Sequence, residues 1–228
     1  MKGHEVFKNG IMSGPLTPHK LHFIHIPKNA GTTVMKNFLC YDKGAASHAT
    51  ADHVKNITHM QDWNNFVVCR DPFERFVSVY LWRLRKDELV QKLTLEEVIE
   101  RLDTKSIRQP LEGWGFEEDE QKLDRMFNRQ TTWMNERTIY VARAEEINRY
   151  IRDLIIRYDI HGSKYLVQSW ASSTKRHNAH KPYGPQPAET RELLLKVLNE
   201  NPRLKQQFFS YYSKDYQEFG YNIPKGLK

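Results

Sequence analysis

The chain has 228 residues, 39% hydrophobic and 12% aromatic, which suits one globular domain with a large core and excludes a disordered chain. A formal net charge of +7 favours an anionic partner: a nucleotide, an acidic glycan, a nucleic acid or a membrane surface. The basic residues are interleaved with acids, which argues against a nucleic-acid tail, and no apolar run reaches the roughly 18 residues of a membrane span.

Residues 1–20 are polar, with Gly and Pro, and read as a loose lead-in to a single domain over 21–228. They hold no apolar core for a signal peptide, so a chain complete as given is expected in the cytoplasm. Leu21–Ile26 reads as a short buried strand, and Pro27-Lys28-Asn29-Ala30-Gly31-Thr32-Thr33 breaks it. Val34, Met35, Phe38 and Leu39 then have the spacing of one helix face. A strand–loop–helix of this kind aims backbone N–H groups at one spot, at the positive end of a helix dipole, and that spot suits a phosphate. Gly31 allows close approach, Thr32 and Thr33 add hydroxyls, and Lys28 adds a charge. The loop is not a Walker A motif, because Lys28 precedes the only Gly by three residues. The plain alternative is an ordinary strand-to-helix turn.

Ser47-His48-Ala49-Thr50-Ala51-Asp52-His53 reads as a loop passing into a helix. Phe66–Cys69 reads as a second buried strand. Arg70 follows it, at the strand edge where α/β sheets collect ligands. Asp71 and Pro72 suit the N-cap and first turn of a helix, with apolar residues at Phe73, Phe76, Val77, Tyr80, Leu81 and Leu84. Thr94 and Glu97 form a capping-box pattern, 104–116 reads as a loop, and 117–134 reads as a further helix. Thr138–Val141 reads as a third strand and Ala144–Tyr158 as a helix. A loop at Ser173–Pro187 carries Lys175, Arg176, His177, His180 and Lys181, and two helical stretches close the chain. Cys40 and Cys69 read as buried thiols rather than a disulfide.

The loop order Pro-Lys-x-Ala-Gly-Thr-Thr, and then Arg70-Asp71-Pro72-x-x-Arg75-x-x-Ser78-x-Tyr80, together resemble sulfotransferases that use 3′-phosphoadenosine-5′-phosphosulfate (PAPS). The likeness is to the carbohydrate and heparan sulfate branch, family 2-like. The resemblance implies an α/β fold, a short central parallel sheet with flanking helices in the layout of a P-loop kinase. It implies a sulfuryl transfer from PAPS to an acceptor hydroxyl, on a carbohydrate by first expectation, and no metal. It places Lys28, Asn29, Ala30, Gly31, Thr32 and Thr33 on the 5′-phosphosulfate and Arg70 and Ser78 on the 3′-phosphate. Asn29 departs from the usual Thr at its position, though an amide can still donate a hydrogen bond. His48, in a His-x-Thr-Ala string, matches the catalytic base, with His53 in reserve; imidazole suits proton transfer near neutral pH. Arg176, Asn178, Lys181 and Tyr183 are candidates for a late loop over the nucleotide. Animal members of the branch are Golgi enzymes with an N-terminal anchor, so a trimmed form would belong in the Golgi lumen. Two rival readings stay open: a P-loop NTP-dependent kinase, and a non-catalytic binder of nucleotide or acidic glycan.

Overall fold

The computed structural model describes residues 19–37, 49–57, 60–111, 115–158 and 186–227. These divide into two compact units: the described residues up to Arg70 together with 133–158, and Asp71–Thr132 together with 186–227.

The first unit is built on a parallel sheet of β1 (Leu21–Ile24), β2 (Asn64–Cys69) and β3 (Thr138–Arg143), in that spatial order. Parallel strands are covered on both faces and so read as continuous apolar runs. Phe66, Val67, Val68 and Cys69 of the central strand fit this, each 0–1% exposed. The β2–β3 register slips once, from Asn65↔Thr138 to Phe66↔Tyr140. Ile139 falls in the slip and stays 48% exposed. Three helices belong to this unit: α1 (Gly31–Asn37), α2 (Ala51–Lys55) and α6 (Ile147–Arg157). Val34 of α1 and Ile151, Leu154 and Ile155 of α6 share one core with Leu21, Phe23, Phe66, Val68 and Ala142. The α/β layout and its parallel sheet are as expected. Cys69 is a buried thiol, and Cys40 lies outside the described residues.

The second unit is helical among its described residues. It holds α3 (Pro72–Arg83), α4 (Glu88–Lys92), α5 (Leu95–Glu100), α7 (Pro187–Glu200) and α8 (Pro202–Phe219). The caps expected from the sequence form. Asp71 Oδ1 accepts from the amides of Phe73 (2.9 Å) and Glu74 (3.1 Å). Thr94 and Glu97 exchange both bonds of the capping box. Gly220, at φ 62°, ends α8 in the left-handed conformation that glycine adopts without strain. Phe76 centres the core, meeting Phe208 at 5.2 Å edge-on and Phe127 at 5.8 Å. Burying such a side chain contributes about 1.5–3 kcal/mol.

The expected helix over 117–134 does not form; the chain there makes turns and short 3-10 segments at Arg125–Phe127 and Gln130–Trp133. Aspartates compete with helix backbone by bonding nearby amides. Asp119 takes the Gln121 amide at 2.9 Å and Asp124 the Met126 amide at 2.9 Å. Arg75, 1% exposed, takes the carbonyls of Met126 (2.8 Å) and Asn128 (2.9 Å) that a helix would use internally. Among the described residues no helix is long and apolar enough to cross a membrane.

Candidate functional site

The site is built where β1 gives way to α1. Pro27 follows the strand, and the next residues turn back sharply. Lys28 and Ala30 both have positive φ, 69° and 57°. A non-glycine residue in this left-handed region costs about 1–2 kcal/mol, so the surroundings must hold the turn. Two ties come from the end of β2. Asn29, 0% exposed, donates from Nδ2 to the Val68 carbonyl at 2.8 Å. Arg70 Nη1 donates to the Lys28 carbonyl at 3.5 Å. The Ala30 carbonyl then accepts from the amides of Thr33 (2.9 Å) and Val34 (3.1 Å), which starts α1.

Gly31 has a steric reason to be glycine. A Cβ there would lie 1.9 Å from the His25 ring. That ring is 8% exposed and stacks on Phe23, with centroids 5.9 Å apart. His25 therefore shapes the loop from inside. Reading Leu21–Ile26 as a plain apolar strand passed over it; the signal was two histidines, His22 and His25, in an otherwise apolar run.

The structure thus brings Lys28, Asn29, Ala30, Gly31, Thr32, Thr33 and Arg70 into one locality of the first unit. The charges fit an anion: one ammonium, one guanidinium, and no acidic residue in the first turn of α1. Within this set Asn29 faces the sheet, and the Thr33 amide is used inside α1. Ser78 lies in α3 of the second unit and is half-buried. The other motif arginine, Arg75, is a buried scaffold residue of that unit. His48, Arg176, Asn178, Lys181 and Tyr183 lie outside the described residues.

His53 has a structural task. It is 3% exposed and is the third helical residue of α2. Its Nδ1 accepts the Thr50 amide at 3.1 Å, while its own amide donates to Thr50 Oγ1 at 3.3 Å. A peptide N–H can only donate, so the Nδ1 lone pair is committed and the ring proton of the neutral form sits on Nε2. Among the described residues no group of three or more His, Cys, Asp or Glu is placed to hold a metal ion.

A family model described as "Sulfotransferase family" matches residues 17–222, and the chain belongs to that family, in a family 2-like form. Searches of the curated proteins and of the solved structures found no match. A member of this family is a transferase that moves a sulfuryl group from a sulfate donor to an acceptor hydroxyl.

Proposed function

We propose that the chain transfers the sulfuryl group of PAPS to a hydroxyl group of a carbohydrate, with His48 as general base. The observation that carries this is the loop between β1 and α1. A lysine and the start of a helix are presented on a strained turn, tied to the arginine that follows β2. In the reaction His48 removes the acceptor proton as its oxygen attacks sulfur in line. The bond from sulfur to the bridging phosphate oxygen breaks, and that oxygen leaves with the electron pair as part of 3′-phosphoadenosine-5′-phosphate (PAP). Lys28 offsets the charge developing there, together with the amides at the start of α1 and the Thr32 and Thr33 hydroxyls. Arg70 takes the 3′-phosphate, which separates PAPS from ATP. His48 is preferred to His53 because the Nδ1 lone pair of His53 is committed to its cap.

Calorimetric titration with PAP and ADP tests the donor site. Binding of PAP well ahead of ADP is expected; equal or absent binding would end this reading. Arg70→Ala should weaken PAP affinity about 10–100-fold, the weight of charge-assisted hydrogen bonds. His48→Ala should abolish transfer while PAP affinity stays. Transfer that survives removes His48 as the base. Tight PAP binding by the wild-type chain with no transfer to any glycan would favour the non-catalytic reading.

A further inference from the structure

We infer that Asn29 is a positioning residue for this reaction: its buried amide, bonded to Val68, locks the left-handed turn at Lys28 and Ala30 and so sets where the Lys28 ammonium is presented. The inference rests on the functional reading above.

The argument begins with the backbone. Asn29 stands between the two residues of positive φ in this loop, neither of them glycine. Neither conformation is favoured locally, so each persists only where its surroundings over-determine it. Asn29 supplies that constraint from the inner side. It is 0% exposed and its Nδ2 reaches the Val68 carbonyl at 2.8 Å, across 39 residues of sequence. The second tie, from Arg70 Nη1 to the Lys28 carbonyl, comes from two residues further along the same stretch. The His25 ring fills the space beside Gly31, one residue past the turn. Lys28 is thus held through its own carbonyl and through its neighbour's side chain, and it remains partly exposed. An amide is suited to this place. It donates to a carbonyl while staying neutral, whereas an ionised aspartate of the same shape has no proton to donate and would bury a charge.

A residue that only stabilised the fold would lower melting temperature without regard to Lys28. A double-mutant cycle separates the two cases. With PAPS as donor, Asn29→Ala is expected to lower kcat/KM about 30–100-fold, the scale of a misplaced catalytic group. In a Lys28→Ala background the same change should cost less than about 3-fold, since there is no ammonium left to misplace. Equal losses in the two backgrounds would overturn the inference. So would full activity in Asn29→Asp, which keeps the shape and loses the donor. Should Asn29→Ala fail to fold, Asn29→Ser enters the same cycle under the same criterion. A second readout needs no turnover: hydrogen exchange at the Thr33 and Val34 amides, both bonded to Ala30. Their exchange should quicken at least tenfold in Asn29→Ala, while β2 amides keep their protection. If the wild-type chain binds neither PAP nor PAPS, the functional reading fails and exchange alone decides the anchor; unchanged protection then overturns it.

Discussion

Asn29 in the first unit and Asp215 in the second are both 0% exposed, and each holds an irregular segment by hydrogen bonds from within. Asp215 accepts from the Gln130 amide (2.7 Å), the Thr131 amide (3.0 Å) and the Thr131 hydroxyl (3.1 Å). Gln130 is itself wholly buried, and the neighbouring Arg129 lies over the Tyr211 ring at 5.6 Å, so Asp215 fixes an inner corner of the fold. Asn29 holds a loop whose Lys28 and Ala30 remain partly exposed. The chemistry of the two anchors is alike. What differs is what the anchored segment presents: backbone to a core in one case, a cation on a strained turn in the other. A buried polar side chain is therefore a sign of function only when the segment it fixes carries chemistry to the surface.

Asp215→Ala should give the largest effect on stability. It orphans the buried Gln130 amide and the part-buried Thr131 amide and removes the carboxylate near buried Arg75, a loss of about 3–5 kcal/mol by urea unfolding. A loss below about 1 kcal/mol would show that water or a neighbour replaces the carboxylate, and the corner would not be its doing. The pH dependence has a definite sign. Burial raises the Asp215 carboxyl above its ordinary range, against the pull of the Gln130 and Thr131 hydrogen bonds and of Arg75. A carboxyl raised in the folded state binds its proton more tightly there than in the unfolded chain. Its contribution is fully present below the ordinary carboxyl range and is lost as pH rises through the folded value. Asp215→Asn removes that slope, so the wild type should gain on this variant as pH falls from 7 to 4. A difference independent of pH would show that the carboxyl is not raised.

Gly31→Ala comes next, at about 1–3 kcal/mol, the range for overpacking. The added methyl would lie 1.9 Å from the His25 ring, which is stacked on Phe23 and has little room to move. If that clash is the cause, His25→Ala should relieve it: the double variant should be less destabilised than the sum of the singles. Additive losses would place the strain elsewhere in the loop. Transfer rate, measured alongside, should fall by more than stability alone explains, because this loop presents Lys28.

Much of this was legible in the chain. The sheet strands showed as apolar runs, Asp71 and Thr94 announced their helices, and the loop and the Arg70–Ser78 string pointed to the family. The rest depended on contacts distant in sequence. The turns at 117–134 carry helix-forming Glu and Gln, and that propensity is overridden where Arg75 takes the Met126 and Asn128 carbonyls, more than 50 residues away in the sequence. Asn29 looked like a substitute phosphate ligand because an amide donates; only the position of Val68 shows where that donation goes. His53 matched a catalytic type, and its committed Nδ1 became visible only with Thr50 folded beside it.

Two of the capping boxes, one in each unit, make the finest test of the contrast between the units. Thr50–His53 opens α2 in the first unit and is buried; Thr94–Glu97 opens α5 in the second and is exposed. Removing a cap hydroxyl costs about 1 kcal/mol in either place, so Thr50→Ala and Thr94→Ala should lower stability by similar amounts. Neither cap holds a segment that presents Lys28, and PAP affinity should be unchanged in both. A tenfold loss of affinity in Thr50→Ala alone would break the distinction drawn here. The buried cap of α2 would then belong to the donor site, and functional sensitivity would extend through the polar interior of the first unit beyond the loop between β1 and α1.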